Sequence, residues 1–184
     1  LGAQVASTDV FWGLTDIACA VWAACVGGGA GQSNVGMTAS AGSSCSVEPM
    51  LSTVAVPGGT MIMHAVGVGS SWTVGHDMDL SSGLFTAAPS QRWGVAATAG
   101  GQVRLNGSRY LVTTNAYSTA HGIHASGAGS QVLIANDVEV VIHGGGNSNS
   151  STATRGLISQ GNALLQIDGH AKISTTNQSW PAGG

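Results

Sequence analysis

A gapless internal repeat is the strongest constraint on the fold of this chain. The stretch HAVGVGSSWTVGHDMDL, which begins at His64, aligns with HASGAGSQVLIANDVEV, which begins at His124. The two copies share a His-Ala pair, two glycines, a serine and an aspartate, and their apolar positions coincide. Internal similarity of this kind is typical of proteins in which one small structural unit is built several times and stacked.

A step from glycine to a large apolar residue extends this repeat along the chain, at intervals of roughly 30 residues. It gives one apolar column, in which Met63 takes the apolar place of a copy that lacks the glycine: Leu14, Met37, Met63, Val95, Ile123 and Leu157. Several copies continue with a second short strand, such as Val132 to Ile134, and then with a third, which contains Leu111, Val140 or Ile173. A unit of this kind cannot bury its apolar face alone, and stacking the units in register closes a continuous core.

The sequence therefore predicts an all-β fold, a right-handed parallel β-helix (solenoid) of about six irregular coils, in a single domain over residues 1–184. A two-sheet sandwich would not need like residues at like positions in successive units. The uneven spacing is explained by loops that leave the coil at its corners, the best candidates being Ser81 to Gln91, Thr113 to Thr119 and Gly144 to Thr154. Residues 1–30 fit the pattern least well and form either the first coil or an N-terminal cap, which a solenoid needs to cover its open end.

The composition excludes several classes of protein. Only 7% of the residues are charged and 43% are hydrophobic, so the chain is expected to fold. Five Lys plus Arg residues and a net charge of -3 cannot neutralise many phosphates, so no nucleic-acid partner is predicted. No apolar run approaches the roughly 20 residues of a membrane-spanning helix, so no membrane span is predicted.

Three cysteines, Cys19, Cys25 and Cys45, lie in the first quarter of the chain. No histidine lies near them at the spacing of a zinc site. Two interpretations stay open at this point: one disulfide with one free thiol, or three reduced thiols that act as small buried apolar groups.

Paired carboxylates are the strongest candidates for catalysis. They occupy equivalent places in the two best copies: Asp77, Asp79, Asp137 and Glu139. Residues two apart on a strand lie roughly 6.5–7 Å apart on one face, a separation that glycosidases use. The alternative is that they are solvated corner residues, because the same places in another copy hold His170 and Lys172 and so form a column of mixed charge.

Two histidines, His64 and His124, share one column, two coils apart, with Ala96 between them. At about 4.8 Å per coil their side chains start about 10 Å apart, which is too far to share a metal ion. We therefore expect a polar surface ladder, and predict neither a metal site nor a cofactor.

Two of the five tryptophans, Trp12 and Trp93, precede the Gly-apolar step on its outward side. Aromatic rings in such a position stack on a ligand, for instance a sugar, or on a neighbouring subunit. The competing interpretation is packing at a corner beneath a loop. Trp72, by contrast, falls in the inward register and is expected in the core.

The recurring pattern of glycine, apolar and Asn or Asp residues in Gly94–Asn106, Gly122–Asp137 and Gly156–Asp168 resembles the passenger domains of bacterial autotransporters of the pertactin-like class. The resemblance covers about the last 120 residues well and about the first 60 loosely. It implies export through the outer membrane, a right-handed β-helix and a role in adhesion or host-factor binding. Bacteriophage tail spikes and polysaccharide lyases share the same coil pattern.

Three functional hypotheses follow. The first is a secreted or cell-surface adhesin or scaffold that does not catalyse a reaction and whose loops bind a host surface protein or glycan. The second is a phage tail-spike domain that binds or cleaves a surface polysaccharide. The third is a subunit of an extracellular filament, because low charge and apolar ends favour end-to-end association of copies of the chain.

Overall fold

The computed structural model describes residues 23–26, 35–47, 53–55, 61–81, 91–116, 119–144 and 155–177, which contain strands and no helix. Within these ranges, no helical segment exists that could cross a membrane. The strands are β1 (Ala23–Val26), β2 (Val35–Ala39), β3 (Ser44–Val47), β4 (Thr53–Ala55), β5 (Met61–Val66), β6 (Ser71–Val74), β7 (Met78–Ser81), β8 (Gln91–Thr98), β9 (Gln102–Leu105), β10 (Arg109–Ala116), β11 (Thr119–Ser126), β12 (Gln131–Ile134), β13 (Asp137–Gly144), β14 (Arg155–Gln160), β15 (Leu164–Ile167) and β16 (Ala171–Asn177).

The strands form three sheets that the chain visits in turn. The first sheet has the order β2-β5-β8-β11-β14, the second β1-β3-β6-β9-β12-β15 and the third β4-β7-β10-β13-β16. Every neighbouring pair is parallel, except that β1 runs antiparallel to β3. The fold is therefore a parallel β-helix, which confirms the predicted class. The described residues make five coils of three strands each, and not the six predicted, because β1 adds one reversed strand to the second sheet alone.

The apolar column predicted from the repeat exists in the structure. Met37, Met63, Val95, Ile123 and Leu157 follow one another as register partners down the first sheet. The first four are fully buried. Leu14, the predicted first member of this column, lies outside the described residues.

The second sheet carries a matching inward column that begins at Cys45 and Trp72 and continues through Val103 and Val132 to Leu165. Trp72 is fully buried, as predicted, and its indole N–H donates to the carbonyl of His64 at 3.1 Å. Buried Trp needs a partner for this N–H, and the neighbouring strand of its own coil supplies it.

The predicted third strands exist as β10, β13 and β16, and one detail of their bounds was wrong. Leu111 lies on β10 with Asp79 and Glu139 as its register partners, while the buried Val112 pairs with Val140. The loop predicted to begin at Thr113 begins later, because β10 continues to Ala116 in register with β13. Pairing with a long neighbouring strand overrides the polar composition of this segment.

The first corner, between the first and second sheets, alternates between two turn types. In the second and fourth coils, left-handed backbone falls on two glycines separated by one residue, Gly67 with Gly69 and Gly127 with Gly129. In the other coils it falls on two adjacent residues: Ala41-Gly42, Ala99-Gly100 and Gly161-Asn162. Positive φ explains why glycine and asparagine recur at this corner.

Two buried serines join these alternating turns. Ser70 Oγ accepts from the amide of Gly42 at 3.0 Å, and Ser130 Oγ accepts from the amide of Gly100 at 2.9 Å. Both serines are fully buried, so these bonds satisfy polar groups that would otherwise be costly to desolvate. Each serine lies in a turn with two separated glycines, and the amide that donates to it lies in a turn whose two left-handed residues are adjacent.

A column of glycines, Gly94, Gly122 and Gly156, lets side chains of the third sheet pack against the backbone of the first. A Cβ at Gly122 would collide with Cγ1 of Val140 and would lie 2.6 Å from the carbonyl oxygen of Gly156. A Cβ at Gly94 would meet Val112 in the same way, and one at Gly156 would lie 2.5 Å from Cγ2 of Ile173. The glycines of these three Gly-apolar steps are thus required by close packing.

We predict that Gly122→Ala destabilises the protein by about 1–3 kcal/mol, because the added methyl overpacks a buried site that backbone encloses. Gly75→Ala is the matched control, since a Cβ there meets nothing within 4 Å. Chemical denaturation of both variants measures the difference. Equal free energies of unfolding for the two variants would contradict the packing role of this column.

Candidate functional site

The two longest connections between consecutive described strands leave the coil at one edge, the third corner, where the third sheet passes to the first sheet of the next coil. The chain leaves β7 at Ser81 and enters β8 at Gln91, and it leaves β13 at Gly144 and enters β14 at Arg155. The first and second corners of these coils are short turns. The predicted loops 81–91 and 144–154 therefore open at the same edge of the β-helix.

Next to this edge, on the outer face of the first sheet, lies a group of four rings that we call the Trp–His cluster: His64, Trp93, His121 and His124. The indole of Trp93 lies nearly parallel to the imidazole of His124, with ring centroids 6.5 Å apart, and 5.9 Å from the centroid of His121. The two imidazoles are 6.4 Å apart. All four side chains are half-buried.

The register of the sheet explains how these rings meet. Trp93 and His121 are partners across β8 and β11, and His64 and His124 both pair with Ala96, which is fully buried between them. The methyl of Ala96 occupies little space, which leaves room beside His124 for the larger indole. The predicted His64–Ala96–His124 column is confirmed.

Hydroxyl and amide groups of the coil below hold the imidazoles. Nε2 of His64 lies 2.8 Å from Oγ1 of Thr98. The Nε2 amide of Gln160 donates to Oγ of Ser126 at 3.2 Å and lies 3.3 Å from Nε2 of His124. The contact between Gln160 and His124 requires Nε2 of His124 to be an unprotonated nitrogen that accepts the hydrogen bond.

Burial holds the three histidines of the cluster neutral. Desolvation lowers the pKa of His64, His121 and His124 below the usual 6.5, and it is the largest cause in each case. A charge on His124 lowers the pKa of His64 and His121 further, and Arg155 lowers that of His121. Nδ1 of His121 is buried and has no hydrogen-bond partner in the described part of the chain. It is a polar atom that a ligand could engage.

The structure places Asp77 and Asp137, two of the four candidate carboxylates, at the second corner. Oδ1 of Asp77 accepts from the amides of Ser108, at 2.5 Å, and Arg109, at 3.0 Å, in the next coil. Oδ1 of Asp137 accepts from the amide of His170 at 2.8 Å in the same way. These carboxylates cap the corner of the coil that follows them.

The other two, Asp79 and Glu139, occupy one outer column of the third sheet, which continues to Lys172. The Nζ of Lys172 lies 2.7 Å from Glu139, and the guanidinium of Arg109 lies 3.9 Å from it. The predicted column of mixed charge is therefore present. These contacts tie neighbouring coils together on the surface.

The pKa directions of Asp137 and Glu139 differ from what glycoside hydrolysis needs. A general acid for that reaction is a carboxyl whose pKa is raised. The amide of His170 lowers the pKa of Asp137, and Lys172 lowers the pKa of Glu139. Both groups are therefore ionised near neutral pH, and this pair has no proton donor.

Of the remaining candidates, Cys45 is buried and disulfide-bonded. Its register partner in the antiparallel pair β1–β3 is Cys25. Cys19 and Trp12 lie outside the described residues. Among the residues that the structure describes, no group of three or more His, Cys, Asp or Glu side chains is placed to hold a metal ion.

Comparisons of this chain with protein-family models, curated proteins and solved structures give no match. The likeness to autotransporter passengers therefore rests on the coil pattern and remains an expectation.

Trp93 was predicted from the sequence and His121 was not, although both residues carry the same signal. Each directly precedes a Gly-apolar step, at Gly94-Val95 and Gly122-Ile123. Reading down this column would have placed the imidazole of His121 below the indole of Trp93.

We predict that Asp77→Ala lowers the free energy of unfolding by about 1 kcal/mol, because two backbone amides of the next coil lose their acceptor. Asp79→Ala is the control, since this exposed carboxylate lies only two residues further on, within β7 on the outer face of the third sheet. Urea denaturation at neutral pH measures both. If the two variants lose the same stability, the capping role of Asp77 is wrong.

We also predict that the protein loses stability as the pH falls below about 6.5, the usual pKa of histidine. The unfolded chain takes up protons on these imidazoles before the folded chain does, so acid favours unfolding. Thermal unfolding between about pH 7.5 and pH 5 should show this for the wild type, and less for His121→Gln/His124→Gln. His143→Gln, on the third sheet, should behave as the wild type; an unchanged dependence in the double variant would refute the assignment.

Proposed function

We propose that this chain is a secreted or cell-surface binding module, in which the β-helix is a stiff scaffold. The third corner and the Trp–His cluster beside it contact the partner, which is a glycan or a host surface protein. The observation that supports this proposal best is that the long connections after β7 and β13 and the half-exposed indole of Trp93 lie at the same edge of the coil. Recognition commonly resides in loops that a rigid framework holds in place.

The rest of the described surface supports a scaffold. The carboxylates that were candidates for catalysis, such as Asp77 and Asp137, accept hydrogen bonds from backbone amides of the next coil. The second corner and the outer face of the third sheet are thus occupied by contacts that hold the coils together. The cluster around Trp93 instead offers a polar atom on the first sheet, since Nδ1 of His121 is buried and has no hydrogen-bond partner among the described residues.

Binding of the labelled protein to an array of defined glycans and to purified host surface proteins tests the proposal. Trp93→Ala should weaken binding more than tenfold, since truncation of a central aromatic contact commonly costs 2 kcal/mol or more. Val68→Ser is the control, because this side chain is also apolar and is 84% exposed, but lies at the first corner.

Equal binding by wild type and Trp93→Ala would exclude the cluster as the contact surface. Absence of binding to every glycan and protein of the array would reject the binding module as a whole. Release of shortened sugars from a bound glycan would reject the scaffold in favour of the tail-spike hypothesis, in which the polysaccharide is cleaved.

A further inference from the structure

We propose that the Trp–His cluster and the neighbouring Arg155 bind an acidic saccharide, and that they bind it more tightly as the pH falls. This inference rests on the proposed binding function and names the ligand class of the same site. It is carried by the distribution of charge over the β-helix, by the donors around Trp93 and by the position of Arg155.

Acidic side chains are segregated from the cluster. The described carboxylates all lie on the third sheet or at the second corner: Asp77, Asp79, Asp137, Glu139 and Asp168. None of the five strands of the first sheet contains Asp or Glu. Arg155 lies on β14 as the register partner of His121 and is exposed. The outer face of the first sheet therefore carries bases without acids, and it attracts an anion.

The donors of the cluster fit an anionic group on a sugar. His121 has an unpartnered ring nitrogen, and Arg155 offers a guanidinium that can hold a carboxylate or sulfate through two hydrogen bonds. Both lie on adjacent strands at one register position. An anion bound there would satisfy the buried nitrogen once that nitrogen carries a proton.

The surroundings of these donors favour a saccharide over an acidic peptide. The hydroxyls of Thr98 and Ser126 and the amide of Gln160 lie around the rings and can exchange hydrogen bonds with sugar hydroxyls. The indole of Trp93 supplies an apolar surface for the C–H groups of a pyranose ring.

The pH dependence of binding follows from the described titratable and charged groups that face the ligand: His64 on β5, His121 and His124 on β11, and Arg155 on β14. At neutral pH the imidazoles are uncharged, and among the side chains that the structure describes on this face Arg155 supplies the positive charge. Protonation of the imidazoles adds positive charges to a half-buried surface. In the free protein these charges repel one another and Arg155, whereas in the complex the bound anion neutralises them. Binding of an anion is therefore linked to proton uptake.

Matched polymers test the inference: dextran sulfate against dextran, with oligogalacturonate as the carboxylated probe. Isothermal titration calorimetry at low ionic strength, at about pH 5 and about pH 7.5, measures the affinities. We expect the acidic polymers to bind at least about tenfold tighter than dextran, and tighter at the lower pH, with sulfate and carboxylate distinguished by the two probes.

Paired variants distinguish binding at the Trp–His cluster from non-specific attraction of polyanions to the protein. Arg155→Ala should weaken binding of the acidic probes several-fold, while Arg104→Ala, an exposed arginine on the second sheet, should leave it unchanged. The ring protons of His121 and His124, followed by NMR, should titrate at higher pH in the complex. Thermal unfolding of each variant checks that the fold is intact.

Equal loss in both arginine variants, or equal affinity for dextran and dextran sulfate, would overturn the inference. If a neutral glycan binds and depends on Trp93, the proposed function stands and the acidic ligand is wrong. If no polymer, no array glycan and no host surface protein binds, both fail.

Discussion

Parallel backbone pairing in strict register is the interaction on which the whole structure depends. Each strand lies directly above its equivalent in the next coil, so every side chain meets the residue at the same position one coil away. An inward position must then be apolar or tightly packed in every coil, as the column from Met37 to Ile123 is. At an outward position, the residues of successive coils form a ladder on the surface, and their side chains determine the chemistry of that ladder. Both the core and the surface of the protein therefore consist of columns of residues that occupy equivalent positions in successive coils.

These outer columns divide the surface into regions with different roles. On the third sheet, Glu139 lies beside Lys172 of the next coil, and ion pairs of this kind, which are exposed and individually weak, join neighbouring coils. On the first sheet, aromatic and imidazole rings replace the ion pairs, and burial keeps the imidazoles neutral. The same geometric rule thus produces a surface that holds the stack together and another whose polar atoms are not all satisfied.

The sequence predicted those features that depend on periodicity and missed those that depend on contacts between coils. Period-two alternation and the Gly-apolar step were enough to define the register of Val95 and Ile123. The role of Asp77 was not predictable, because its hydrogen-bond donors belong to a corner in the next coil. His121 was missed because the backbone ladder skips Gly122, and alternation counted from His124 then gives the wrong face.

The alternation of turn types at the first corner has a consequence for how such a chain can change its length. Ser70 and Ser130 each bond to a glycine amide of the other turn type, in the coil before. Removal of one coil would bring two turns of the same type together and separate these partners, whereas removal of two would restore them. A change in length that keeps these bonds therefore adds or removes coils in pairs, and the repeat between His64 and His124 likewise links coils two apart.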